Sequence, residues 1–328
     1  MTVEEVLQSW RELSIPDRHE VVKQLSQLLE SNEIEKEITE KSKLVSDGIQ
    51  SEPGNKSTPT NHCFNCGDFN NSDTIELLKK KELFPDLIFT SPPYNSGIDY
   101  GFGFDDKKPI NDYMDFLYNF IDNCDQVLKD GGRFVINLRD IATGKGQRLP
   151  IIVPLYNYIC EKKGYTYRGM HLWYKGREEN SFAWGSWLKS SSPAIIDLYE
   201  YIFVFQKGDY PSGEDNLYKT EFVESVIGVW KIRPVKKFTG KKKKNLVSHP
   251  CPFPVELPKR IIKLYSHVGN LVLDPFAGVF STSCAAVEAG RNSVSIELNR
   301  NYCNVGKEKF KKLFLDLFQK TTLQELFA

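Results

Sequence analysis

Apolar residues fall in two rhythms along this chain. Short strand-prone runs, Cys63 to Cys66, Leu87 to Phe89, Phe134 to Leu138, Arg168 to Tyr174, Tyr201 to Phe205, Leu271 to Leu273 and Val294 to Ile296, each suit one strand. Between them the apolar residues take helical spacing: Thr74 to about Lys81, Tyr113 to Leu128 through Phe116, Phe120 and Val127, Ile151 to Lys163, and Leu257 to His267. An alanine-rich stretch that stops at Gly290 predicts one more helix, with Ser281 or Thr282 as its cap, as Ser72 or Asp73 would cap the first. Strand and helix alternate, which predicts an α/β fold with a doubly wound, mostly parallel sheet.

Three stretches stand outside that alternation. In residues 1–50, Val3, Val6, Leu7 and Trp10, then Val21, Val22, Leu25, Leu28 and Leu29, recur at helical spacing and predict a helical appendage. Residues 51–61, which contain SEPGNKSTPT, read as a linker. Packing on the rest of the chain, a dimer contact and a protein partner all suit the appendage. Residues 208–247 hold no sustained period and read as an insert.

The 43 basic and 43 acidic residues balance, which argues against a uniformly basic nucleic-acid binder. Locally they do not balance: Lys231, Arg233, Lys236, Lys237, Lys241, Lys242, Lys243 and Lys244 run without an acid among them, and phosphate contact is the expected use. No apolar run approaches the roughly 20 residues that span a membrane, and MTVEEVLQSW has no signal-peptide pattern, so a cytoplasmic protein is expected. The seven cysteines are scattered, and only Cys63 and Cys66 have ligand spacing; reduced thiols and no metal are expected.

Candidate chemistry concentrates in two stretches. In DLIFTSPPYN, the strand ending at Phe89 is stopped by Ser91-Pro92-Pro93, which sets polar groups at a strand's carboxyl end, where open α/β sheets bind ligands. A hydroxyl on Ser91, rigid carbonyl acceptors at Ser91 and Pro92, and the ring of Tyr94 suit a planar group bearing an amino function, such as an extruded nucleobase. In the second stretch, a strand ends at Asp274, Gly278 permits a tight turn, a helix follows, and the next strand ends in Glu297. An acid at that distance from the loop is the layout that holds a ribose diol.

Here DPFAG with Glu297 resembles the S-adenosylmethionine loop of DNA methyltransferases, and TSPPYN resembles the catalytic motif of those that methylate exocyclic amino groups. The order, catalytic motif first, resembles the circularly permuted beta group. Cys66-Gly67-Asp68, HPCPFPVELPKR from His249 to Arg260, and the stretch from Trp184 to Lys207 agree with it, over about residues 62 to 312. The resemblance implies a catalytic half over 62–207 with Ser91, Pro92, Pro93 and Tyr94, a target-recognition insert over 208–247, and a cofactor half over 248–328. It implies cofactor contacts from Asp68, Phe253, Asp274, Pro275, Phe276, Gly278, Ser281, Thr282 and Glu297. Duplex DNA is the implied substrate, with Arg177, Trp184, Trp187 and Lys189 as base readers by position. Serine at position 91 goes mostly with cytosine N4 and aspartate mostly with adenine N6, so a cytosine-N4 methyltransferase of a restriction-modification system is expected. The alternatives are an adenine-N6 enzyme, a catalytically degenerate DNA-binding module, and an amino-methyltransferase of RNA or protein. One position departs from the family: Phe280 stands where a second glycine is usual. If that place needs a positive φ, either the loop takes another path with the ring turned away or cofactor binding suffers.

Overall fold

The computed structural model describes residues 60–314, apart from 102–103, 145–146, 177–185, 187, 194, 196–197, 210–218 and 236–251, together with 322–325. The chain divides into two compact units, Met1–Lys56 and Ser57–Ala328, and every described residue lies in the second. The appendage over 1–50, residues 51–59 of the linker, and Lys236, Lys237 and Lys241 to Lys244 therefore lie outside the described residues, as do Arg177, Trp184 and Trp187.

In chain order the elements are β1 (Asn61–Cys66), α1 (Ser72–Lys80), β2 (Leu87–Thr90), α2 (Ile110–Val127), β3 (Arg133–Leu138), β4 (Ile141–Gly144) and β5 (Gln147–Leu149). Then come α3 (Ile152–Tyr156, continued as a π-helix over Asn157–Lys162), β6 (Thr166–Tyr174), β7 (Tyr199–Gln206), α4 (Lys219–Ser225) and β8 (Val229–Lys231). The chain goes on through α5 (Glu256–Tyr265), β9 (Leu271–Asp274), α6 (Ser281–Glu288), β10 (Asn292–Glu297), α7 (Arg300–Phe314) and β11 (Thr322–Glu325). The described strands form one large sheet in the order β11-β1-β10-β9-β2-β3-β7-β6-β8, and a small β4-β5 ribbon. Neighbours in the large sheet are parallel except that β7 runs antiparallel to both β3 and β6.

Side chains alternate across the sheet as the period of two demands. Ile88, Phe134, Ile136, Phe203 and Phe205 pack on one face with α2, which buries Tyr113, Leu117, Phe120, Ile121, Cys124 and Val127. Leu87, Phe89, Val135, Ile202 and Val204 pack on the other with α5 and α6. A strand covered on both faces reads as an unbroken apolar run, which is why β2 was visible. Alanines 285, 286 and 289 let α6 lie close to the sheet.

Several expectations are corrected. Thr60 and Asn61, assigned to the linker, belong to the domain: Thr60 is buried beside His62 at 3.0 Å, and Asn61 opens β1. The cap of α1 is Asn71, whose side chain accepts from the amide of Asp73 at 2.9 Å, in place of Ser72 or Asp73. Residue 280 takes the N-cap place of α6, and neither Ser281 nor Thr282 caps it. Within the stretch without a period, α4 and β8 form, and β8 extends the main sheet beside β6. A strand this short is below the length at which alternation is detectable; the burial of Trp230, stacked on His171 at 4.1 Å, anchors it.

Candidate active site

The carboxyl ends of the parallel strands meet at one edge of the sheet, around a cleft of about 1310 Å³. From β2 come Ser91, Pro92, Pro93 and Tyr94; from β1, Gly67, Asp68 and Asn70; from β9, Pro275, Phe276 and Gly278; from β10, Glu297. Both sequence stretches therefore open into the same space. Ser281 and Phe253 also line it.

The SPPY loop is pinned from several sides. Tyr113 donates to the Pro93 carbonyl at 2.7 Å, and among the described residues no group donates to the carbonyl of Pro92. Beyond it Asn95 takes a positive φ, and the buried Asp106 accepts from the amides of Asn95 (2.9 Å), Ser96 (3.0 Å) and Ile98 (2.9 Å). The Tyr94 hydroxyl is 2.6 Å from the Ser91 hydroxyl and 3.0 Å from Oε2 of Glu200. Asn137 donates to Glu200 Oε2 at 2.6 Å and to the Tyr94 hydroxyl at 2.9 Å, while Lys175 pairs with the other Glu200 oxygen. Burial, and then the Glu200 charge, push the Tyr94 phenol well above its ordinary range. Arg139 stands over the Tyr94 ring, 5.7 Å from its centroid.

Sequence reasoning missed Asn137, Arg139, Lys175 and Glu200. The signal was a polar residue inside an apolar strand: Asn137 in β3 and Glu200 in β7 are both buried. Their meeting depends on the reversal of β7, whose first residues thereby reach the edge where β3 and β6 end.

On the cofactor side Glu297 accepts from the Gly278 amide and the Asn299 amide, each at 2.8 Å, which leaves a lone pair on each oxygen for a ligand. Burial raises its carboxyl from 4.5 to about 7. Asp68 is exposed at the cleft and holds the Asn70 amide at 2.8 Å; the Asn70 side-chain oxygen beside it is buried and unpartnered. Ser281 donates to the Phe253 carbonyl at 3.1 Å. Asp274 and Thr282 are corrected: both are wholly buried away from the cleft. Asp274 accepts from Thr90 (2.7 Å), Thr282 (2.5 Å) and the Phe276 amide (3.2 Å), so it shapes the loop and does not line the cleft.

Phe280 answers the question its sequence raised. It adopts φ 63°, ψ 36°, the left-handed conformation a glycine would supply, and its ring is fully buried, stacked on Phe64 at 4.7 Å. The loop thus keeps a positive φ with the ring turned into the core, and the cleft stays open. A left-handed non-glycine residue costs about 1–2 kcal/mol, less than a buried phenylalanine contributes.

A family model described as DNA methylase matches residues 85–308, which span both halves of this cleft. The chain belongs to the DNA methylase family. Its members are amino-methyltransferases that take the methyl group from S-adenosylmethionine, which is the cofactor of this methylase too. Among curated relatives, the type II methyltransferase M.MjaVI of Methanocaldococcus jannaschii is 33% identical over 49% of this chain and 80% of its own. The DNA adenine methyltransferase YhdJ of Escherichia coli is 27% identical over 76% of this chain and 83% of its own. The type II beta methyltransferase M.BslI of a Bacillus strain is 24% identical over 72% of this chain, which spans only 27% of that enzyme's length. Among solved structures, TTHA0409 of Thermus thermophilus, determined with S-adenosyl-L-methionine, has a TM-score of 0.58 at 25% identity and covers 80% of this chain and 99% of its own. The cytosine-N4-specific PvuII methyltransferase has a TM-score of 0.58 at 21% identity, covering 81% of this chain and 96% of its own, and so shares the fold.

The donors and acceptors present fit S-adenosylmethionine. Glu297 offers free lone pairs for a diol, the orphaned Asn70 oxygen suits an amino hydrogen, and the amino end of α6 at Ser281 suits a carboxylate.

Proposed function

We propose that this methylase modifies the exocyclic N4 of cytosine in duplex DNA, as the modification enzyme of a restriction-modification system. The observation that carries the choice of base is Ser91, a neutral hydroxyl at the head of the loop in a place where the adenine enzymes mostly carry aspartate. S-adenosylmethionine supplies a methyl group already activated by its sulfonium. The protein's task is then to make a poor nucleophile attack. The lone pair of an exocyclic amino group is delocalised into its ring, and acceptors aimed at its hydrogens hold it pyramidal and stabilise the positive charge that grows on it. Ser91 Oγ and the Pro92 carbonyl serve this role, Tyr94 and Pro93 shape the pocket, and the rigid prolines fix the line of approach.

Asp68, Phe253, Pro275, Phe276, Gly278, Ser281 and Glu297 hold the cofactor, with Asp274 and Thr282 supporting their loop. Lys236, Lys237, Lys241, Lys242, Lys243 and Lys244 contact phosphates, and residues 208–247 read the target. Nucleoside mass spectrometry of duplex DNA after methylation tests the reading: N4-methylcytosine is expected. The relation to the E. coli adenine enzyme favours the second reading, N6-methyladenine, and that product alone would overturn the choice of base while leaving the reaction class.

A further inference from the structure

The hydrogens around Tyr94 can be assigned one by one. Its hydroxyl has a single proton and four polar neighbours: Ser91 Oγ at 2.6 Å, Asn137 Nδ2 at 2.9 Å, Glu200 Oε2 at 3.0 Å and the Asn137 carbonyl at 3.2 Å. The carboxylate is the closer and stronger acceptor of the two, so the Tyr94 proton goes to Glu200. The Asn137 amide spends its two hydrogens on Glu200 at 2.6 Å and on Tyr94, which leaves none for Ser91 at 3.4 Å. The short contact between Ser91 and Tyr94 then has one solution: Ser91 donates and Tyr94 accepts. With its proton directed inward, Ser91 presents lone pairs to the cleft it lines. Lys175 pairs with the far oxygen of Glu200 and balances a charge on a residue only 6% exposed.

We propose that Glu200, acting through Tyr94, fixes the Ser91 hydroxyl as an acceptor toward the target amino group and takes up the proton that group loses. The proposal rests on the amino-methyl transfer argued above. As the target nitrogen bonds the methyl carbon, the carbon–sulfur pair stays on sulfur and nitrogen carries an excess proton. That proton passes to Ser91 Oγ while the N–H electrons remain on nitrogen. The Ser91 proton moves to the Tyr94 oxygen, and the Tyr94 proton moves to Glu200 Oε2, from which solvent later removes it. Glu200 is a positioning residue and the end of the relay; Ser91 is the member that takes the proton from the substrate.

The test uses the full chain, with the target site first mapped on wild-type product. Tyr94→Phe and Glu200→Gln are each expected to lower kcat about a hundredfold, the usual worth of assisted proton transfer. Each should leave S-adenosylmethionine affinity within about threefold, with the double variant no worse than either single because both cut one chain. Tyr94→Phe keeps Glu200, Lys175 and Asn137 in place and carries the test should Glu200→Gln fail to fold. A second readout needs no cofactor. Uracil offers a carbonyl oxygen where cytosine offers its amino group, so wild type should prefer a duplex with cytosine at the target over uracil by about tenfold. In Tyr94→Phe the freed Ser91 hydroxyl can turn and donate, and the preference should fall, with the Pro92 carbonyl retaining part of it. Wild-type rates in both variants, additive losses in the double variant, or an unchanged preference would overturn the relay. If the mapped product is N6-methyladenine, only the reading of the base fails, and the duplex pair becomes adenine and hypoxanthine.

Discussion

Glu297 holds its proton to about pH 7 when folded and to 4.5 as an ordinary carboxyl, so between those values the folded state binds more protons than the unfolded one. Stability of the ligand-free protein should therefore fall as pH rises from 4.5 to about 7 and level off above, and Asp274, raised by burial to about 6, adds to the slope at its lower end. The sign reverses for the cofactor. Hydroxyl donors favour the ionised form, so S-adenosylmethionine affinity by calorimetry should rise with pH up to about 7. Glu297→Gln should flatten that dependence, and Glu297→Ala should weaken binding by about 1.5–3 kcal/mol. Phe280 and Gly306 form a matched pair, since a Cβ on Gly306 would lie 2.6 Å from the phenyl ring. Gly306→Ala should cost about 1–3 kcal/mol in urea unfolding. Phe280→Gly relieves about 1–2 kcal/mol of backbone strain but empties a buried site worth about 3–5 kcal/mol, for a net loss of about 1–4 kcal/mol. Read from sequence alone, the same change looks like a repair. The positive φ was foreseeable from the missing glycine, but the stacking on Phe64 that offsets it joins residues more than two hundred positions apart.

Elements were legible where one apolar face is long enough to show a period. The stripe of α2 and the buried run of β2 both announced themselves, with boundaries shifted by a few residues. Capping was less legible, because Ser281 and Thr282 have the chemistry of caps yet turn their hydroxyls to Phe253 and Asp274. The segment after SPPY depends on one acid: Asp106 gathers three loop amides, and no pattern in the sequence links it to Asn95. Losing those charge-assisted bonds in Asp106→Ala should cost at least about 2 kcal/mol of loop order. By hydrogen exchange the amides of Asn95, Ser96 and Ile98 should open about thirtyfold more readily, while those of β2 keep their protection. Equal acceleration in β2 would mean that the domain, and not the loop, had been loosened.

At the scale of the whole molecule, binding to DNA should show the balance of a neutral chain with a local basic run. Neutralising Lys241, Lys242, Lys243 and Lys244 should reduce the salt slope of duplex binding by about 0.9 for each lost phosphate contact and leave the methylated site unchanged. A slope equal to wild type would return the run to a solvated loop. The sequence by itself determined the α/β class, the two strand-end motifs and the acid that closes the cofactor loop. These are local: an apolar run, a proline stop and a glycine turn act within a few residues, so their physics is written in adjacent letters. What only the tertiary structure decided is which acids face the cleft. Asp274 and Glu297 both end strands beside turns, yet one is sealed behind Thr90 and Thr282 while the other lines the space. The same holds for Glu200, which looks like one polar interruption in an apolar strand. Only the reversal of β7 carries it to the edge where Tyr94 and Lys175 stand, because strand direction follows from how the whole sheet buries its two faces.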